Sequence, residues 1–133
     1  MTQLKQYLLA LILLLVALPA RAQEGEGIRF FKGTFEEALK EAKKQGKPLF
    51  VDFYATWCGP CKKMEKTIFT QPQVGKLFNE KFVSLQMDAE KPENVETAKK
   101  YKVDAFPTLG FIDTEGKAIA INVGFMNADE LIE

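Results

Sequence analysis

The sequence predicts an α/β domain in which a central mixed β-sheet carries helices on both faces. Three observations lead there. Residues 48–55 (PLFVDFYA) form a nearly continuous apolar, β-branched and aromatic run, as expected of a strand buried on both sides of a sheet. Segments at helical spacing alternate with such runs, which predicts parallel strands joined by helical crossovers. The last two strand-like runs, FPTLGFID and KAIAINVG, meet at Asp113-Thr114-Glu115-Gly116, a hairpin-type turn, so the sheet ends antiparallel.

Each element has its own local cause. IRFF, residues 28–31, reads as a short first strand. Thr34 and Glu37 make a capping box, and Phe35, Ala38, Leu39 and Ala42 then recur at helical spacing, which predicts a helix over 35–45 that stops at Gly46. After the strand at 48–55, a helix from residue 58 or 59 to about 69 turns Met64, Ile68 and Phe69 to one side, with Lys62, Lys63, Glu65 and Lys66 on the solvated side. Gln71-Pro72 interrupts it, and a short helical turn over 74–78 leads into a buried strand, KFVSLQMD, at 81–88. Pro92 opens a helix over about 93–101. Asn127 and Glu130 start a last, short helix, and Phe82, Phe111 and Phe125 are expected in the core.

Composition bounds the function. The 133 residues include 18 basic and 18 acidic side chains, so the charge that would draw the chain to nucleic acid or an anionic membrane is missing. Lys5, the apolar residues 8–18 and the Ala20-Arg21-Ala22 pattern after Pro19 read as a secretory signal cut after Ala22. The apolar stretch is short beside the roughly 20 residues of a membrane-spanning helix. We therefore expect a signal peptide at 1–22, a flexible lead-in at 23–27 and one domain at 28–133, outside the cytoplasm in a periplasmic or similar compartment, as a monomer.

The only two cysteines, Cys58 and Cys61, stand two residues apart. As a staple they would close too small a loop to restrict the unfolded chain much. A zinc site takes four ligands, and the chain has no histidine, so no metal is expected. A reactive dithiol remains. Cys58 falls where a strand ends and a helix begins, so free backbone N–H groups and the helix dipole favour its thiolate, while Cys61 lies one turn further on. We expect Cys58 exposed and Cys61 shielded. Gly59 and Pro60 suit the turn between them, and Trp57 offers a flat apolar surface beside the nucleophile, or merely packs at the rim.

VDFYATWCGPCK, residues 51–62, resembles the active-site segment of thioredoxins, with FPT at 106–108 and Gly124 at matching distances after it. The likeness runs from about Lys47 onward and implies a thioredoxin-like fold. It implies Cys58 as nucleophile, Cys61 as resolving thiol and Asp52 as a buried carboxylate that exchanges a proton with Cys61. Pro107 would be cis beside the sulfurs, Phe106 would help bind extended substrate, and Gly124 would either join that surface or serve as a turn glycine. MEKTIFTQPQVGKLF after the motif looks closer to periplasmic thioredoxin-like domains. Two departures stand out. Lys66 occupies the place of a helix proline, and Ser84 that of a lysine near the carboxylate, so Asp52 is expected to titrate high.

The expected function is a protein-disulfide reductase whose only redox group is its own Cys58–Cys61 pair. Protein disulfides would be its substrates and a membrane electron carrier its donor. Gly-Pro between the cysteines and the absence of histidine resemble reductants of the family. The alternatives are a disulfide oxidase or isomerase, and a non-enzymatic module that holds extended peptide around Trp57, Phe106 and Pro107.

Overall fold

The structure is a computed structural model that describes residues 2–5 and 26–133; the expected cleavage site after Ala22 lies outside the described residues. Its elements are α1 (Phe35–Gln45), β1 (Leu49–Tyr54), α2 (Gly59–Thr67), α3 (Pro72–Lys81), β2 (Val83–Asp88), α4 (Val95–Lys100), β3 (Thr108–Ile112), β4 (Ala118–Val123) and α5 (Ala128–Ile132). A 3-10 turn at Pro92–Asn94 precedes α4. The strands form one mixed sheet in the order β2-β1-β3-β4. β1 runs parallel to β2 and antiparallel to β3, and β3 pairs antiparallel with β4.

β1 is the central strand, and the sheet's two faces can be read from its alternation. Leu49, Val51 and Phe53 point into a core shared with Phe35, Ala38 and Ala42 of α1, Ala98 of α4 and Tyr101. Phe50 points the other way, into a second core with Met64, Ile68, Phe69, Val74 and Phe78 from the α2–α3 side, and Leu131 of α5. Helices therefore cover both faces, and the uninterrupted apolar run of β1 follows from that double burial.

Local signals set the helix ends. Thr34 Oγ1 accepts the Glu37 N–H at 3.2 Å while Glu37 Oε2 accepts the Thr34 N–H at 2.9 Å, and Gly46 closes α1 in a left-handed conformation at φ 65°. The α2 helix stops at Thr67, and Pro72 sits in the first turn of α3. With Lys66 in place of a proline, α2 runs unbroken to Thr67, and the break in the helical path falls over 68–71.

Two elements differ from expectation. The single turn expected over 74–78 is a ten-residue helix, because Pro72 starts it and the Phe82 N–H still bonds back to the Phe78 carbonyl. That moves the start of the following strand from 81 to 83. The expected strand at 28–31 is no ladder strand: only Phe30 bridges, to Ser84. Its donors go to three places, Ile28 N–H to the Phe69 carbonyl at 2.7 Å, Arg29 N–H to Asn79 Oδ1 at 2.9 Å and Phe31 N–H to the Ser84 carbonyl at 2.7 Å.

This segment is held tightly where it crosses the start of α3. A Cβ on Gly75 would run into the Glu26 carbonyl oxygen and lie 2.6 Å from Gly27 Cα. In an exposed helix, Gly to Ala gains about 1 kcal/mol, but forcing a methyl into a packed backbone crossing costs about 1–3 kcal/mol. We expect Gly75→Ala to lose about 1–2 kcal/mol in urea unfolding with an unchanged slope against denaturant. A gain in stability would contradict this packing.

Candidate active site

The site is built where β1 gives way to α2. After Tyr54 the chain turns through Ala55, Thr56 and Trp57, and the Cys58 N–H closes the turn on the Ala55 carbonyl at 3.2 Å. Cys58 is the N-cap of α2, in extended conformation, and its Sγ accepts the Cys61 N–H at 3.2 Å. Pro60 stands in the first helical turn, where no N–H is needed. The two cysteines form a disulfide with their Cα atoms 5.3 Å apart.

The expected difference in exposure is absent. Cys58 is 2% and Cys61 3% exposed, since Ala55, half-buried Tyr54 and half-buried Phe106 enclose the bonded pair. What separates the two sulfurs is electrostatic: Cys58 Sγ is the one that receives a helix N-terminal N–H. Gly59 is also less constrained than expected, because a Cβ there would meet nothing within 4 Å.

Around the disulfide the chain assembles an aromatic rim. Trp57 is 68% exposed, yet its ring packs edge-to-face on Phe106 with centroids 5.9 Å apart. The Phe106–Pro107 peptide is cis, and the Pro107 carbonyl accepts the Gly124 N–H at 2.8 Å. Gly124 has φ 100°, a conformation that disfavours a side chain. Phe125, expected in the core, lies partly exposed with Lys63 Nζ 5.1 Å from its ring centroid. Lys63 thus covers an aromatic ring, beyond simply facing solvent.

Below the disulfide, Asp52 is 2% exposed. It lines a cleft of about 200 Å³ with Tyr54, Thr56, Cys61, Lys62 and Glu65. Its Oδ2 accepts a long hydrogen bond of 3.4 Å from Gln86 Nε2, and its Oδ1 has no partner. Among the described residues, no group of His, Cys, Asp and Glu could hold a metal ion.

Comparison with known proteins agrees with this geometry. Residues 35–133 match the family model of the thioredoxin-like domain. The chain belongs to the thioredoxin-like family. It is 38% identical over 113 residues to the thiol:disulfide interchange protein DsbD of Vibrio cholerae, an alignment covering 79% of this chain and 19% of that protein. It thus spans about a fifth of that relative's length. A solution structure of a protein proposed to be a disulphide-isomerase, from Bacteroides thetaiotaomicron, is 48% identical with a TM-score of 0.72, over 81% of this chain and 89% of that one. The oxidised C-terminal domain of Neisseria meningitidis DsbD is 29% identical with a TM-score of 0.63, over 79% and 93%. In this thioredoxin-like domain the Cys58–Cys61 pair is closed as a disulfide. Among the described residues, no helix is long and apolar enough to cross a membrane.

Three residues that the sequence did not single out join the site. Gln86, not Ser84, lies opposite Asp52 in the β1–β2 register; Ser84 pairs with Phe50, and its buried hydroxyl has no partner. Glu65 reaches the Asp52 cleft from α2, four residues after Cys61 and so on the same helix face, a spacing that was available as a signal. Glu90 accepts the Trp57 indole N–H at 2.7 Å.

Burial pushes the Asp52 carboxyl up from 3.8 to about 7; the Gln86 hydrogen bond pulls it down, and Glu65 adds to the rise. Between those two values the folded chain keeps a proton that the unfolded chain has lost. This group's contribution is therefore most favourable below about pH 4, falls as pH rises to 7, and levels off above. The span from 3.8 to about 7 corresponds to a loss on the order of 4 kcal/mol. Urea unfolding of the oxidised protein at pH 4, 6 and 8 should show Asp52→Asn with a flatter pH dependence and higher stability at pH 8. Parallel profiles for the two proteins would contradict the burial argument.

Proposed function

We propose that this domain is an exported protein-disulfide reductase. In the reduced protein, the Cys58 thiolate attacks a substrate disulfide, forms a mixed disulfide and releases one substrate thiolate, which takes up a proton. Cys61 gives its proton to Asp52 and attacks Cys58 Sγ, which expels the second substrate thiolate and closes the Cys58–Cys61 disulfide. Two electrons pass to the substrate, and a dithiol donor at the membrane restores the pair. A carboxyl that titrates near 7 suits this exchange, since it is neither always charged nor always neutral at physiological pH. Trp57, Gly59, Pro60, Phe106, Pro107 and Gly124 form the surface that holds the substrate.

One observation carries the reading: the Cys61 N–H directed at Cys58 Sγ on the helix N-terminus, which favours negative charge on that sulfur. The reducing direction rests on Gly-Pro between the cysteines and on the absence of histidine, while the likeness to a thiol:disulfide interchange protein supports the exchange chemistry itself. The export is read from the N-terminal sequence pattern, and a membrane donor is the electron source that an exported reductase would need.

In an insulin-reduction assay, Cys58→Ser and Cys61→Ser should each abolish turnover, and Cys61→Ser should accumulate covalent mixed disulfides. Full activity in either variant would refute the scheme. The 48% identical relative proposed to be an isomerase supports a second reading. A redox titration against glutathione separates the two, with a potential near about −270 mV expected for a reductase and about −180 mV for an isomerase.

A further inference from the structure

Trp57 combines two properties that seldom go together: its side chain is largely exposed, yet it is held at both ends. The indole N–H donates to Glu90 Oε1 at 2.7 Å, and the ring packs edge-to-face on Phe106. Phe106 in turn packs on the Cys58–Cys61 pair. An exposed tryptophan without such anchors would sample several rotamers, and binding a substrate would have to freeze it.

The loop that supplies Glu90 is itself fixed. Ala89 N–H bonds to the Tyr54 carbonyl at 2.9 Å, so the loop is pinned to the end of β1, next to the turn that leads to Trp57. Asp88 Oδ1 accepts the Glu90 N–H at 3.1 Å, Lys91 N–H reaches the Asp88 carbonyl at 3.3 Å, and Asn94 Nδ2 caps the same carbonyl at 2.8 Å. Glu90 is thus presented from a rigid turn.

From these contacts we infer that Glu90 is a positioning residue for substrate capture: it locks Trp57 against Phe106, so that the aromatic rim beside the disulfide is formed before an extended polypeptide disulfide arrives. This rests on the reductase reading and adds to it the residue that determines how well protein substrates are held. The function of Glu90 lies in accepting the indole hydrogen bond, so the neutral isostere Gln should replace it.

Trp57 is the sole tryptophan, so its fluorescence reports the clamp directly. In Glu90→Ala the anisotropy of the oxidised protein should fall through faster side-chain motion, and the KM for insulin should rise roughly fivefold, the scale of one lost hydrogen bond, with kcat changed less than twofold. Glu90→Gln should restore both. Unchanged anisotropy in Glu90→Ala overturns the inference, as does an unchanged KM, or a Gln variant as impaired as the Ala one. An unaltered protein that reduces no insulin sinks the reductase reading itself, an outcome separate from an active protein whose KM ignores residue 90.

Discussion

The turn from β1 into α2 is the constraint on which the site depends. β1 is buried on both faces, so its last residues cannot shift without disturbing two cores at once. Cys58 follows at a fixed distance and takes the N-cap, where its sulfur receives a backbone N–H that would otherwise lack an intrahelical partner. In the proposed mechanism the nucleophilicity of that sulfur would come from this backbone placement. The chain has no histidine that could take that part.

The same strand carries the feature that works against stability. Asp52 occupies a position that an apolar residue would fill at lower cost, and its single long hydrogen bond from Gln86 offsets only part of the desolvation. Glu65 makes the environment more acidic still. A buried, under-satisfied carboxylate persists in a folded protein when its titration is useful, and its cleft borders the second cysteine of the disulfide. Stability given up at one strand position would thus serve the proton exchange with Cys61 proposed for the same cleft.

The sheet also shows how the periphery supports the centre. β2 would be an open edge, but residues 28–31 run beside it, anchored to α2–α3 and Asn79 and bonded to Ser84. The close approach of Gly27 and Gly75 lets that segment reach its place. On the opposite edge, β4 exposes Ile119, Ile121 and Val123.

Much of this was legible in the chain itself, wherever the signal is local. The capping box at Thr34, the apolar run of β1, the interruption before Pro72 and the C-x-x-C pair at a strand end are all set by neighbours within a few residues. The element order from α1 onward, the placement of Cys58 and Cys61, and the buried carboxylate at Asp52 followed from them. Residues far apart in sequence were not legible in that way. The register that puts Gln86 rather than Ser84 beside Asp52, the reach of Glu90 across 33 residues to Trp57, the diversion of the 28–31 donors away from a ladder and the closure of both sulfurs beneath Phe106 depend on how strands and loops pack. Periodicity tells a side chain which face to choose; it carries no information about what will be waiting on the other strand, because that pairing is decided by the simultaneous burial of the whole sheet.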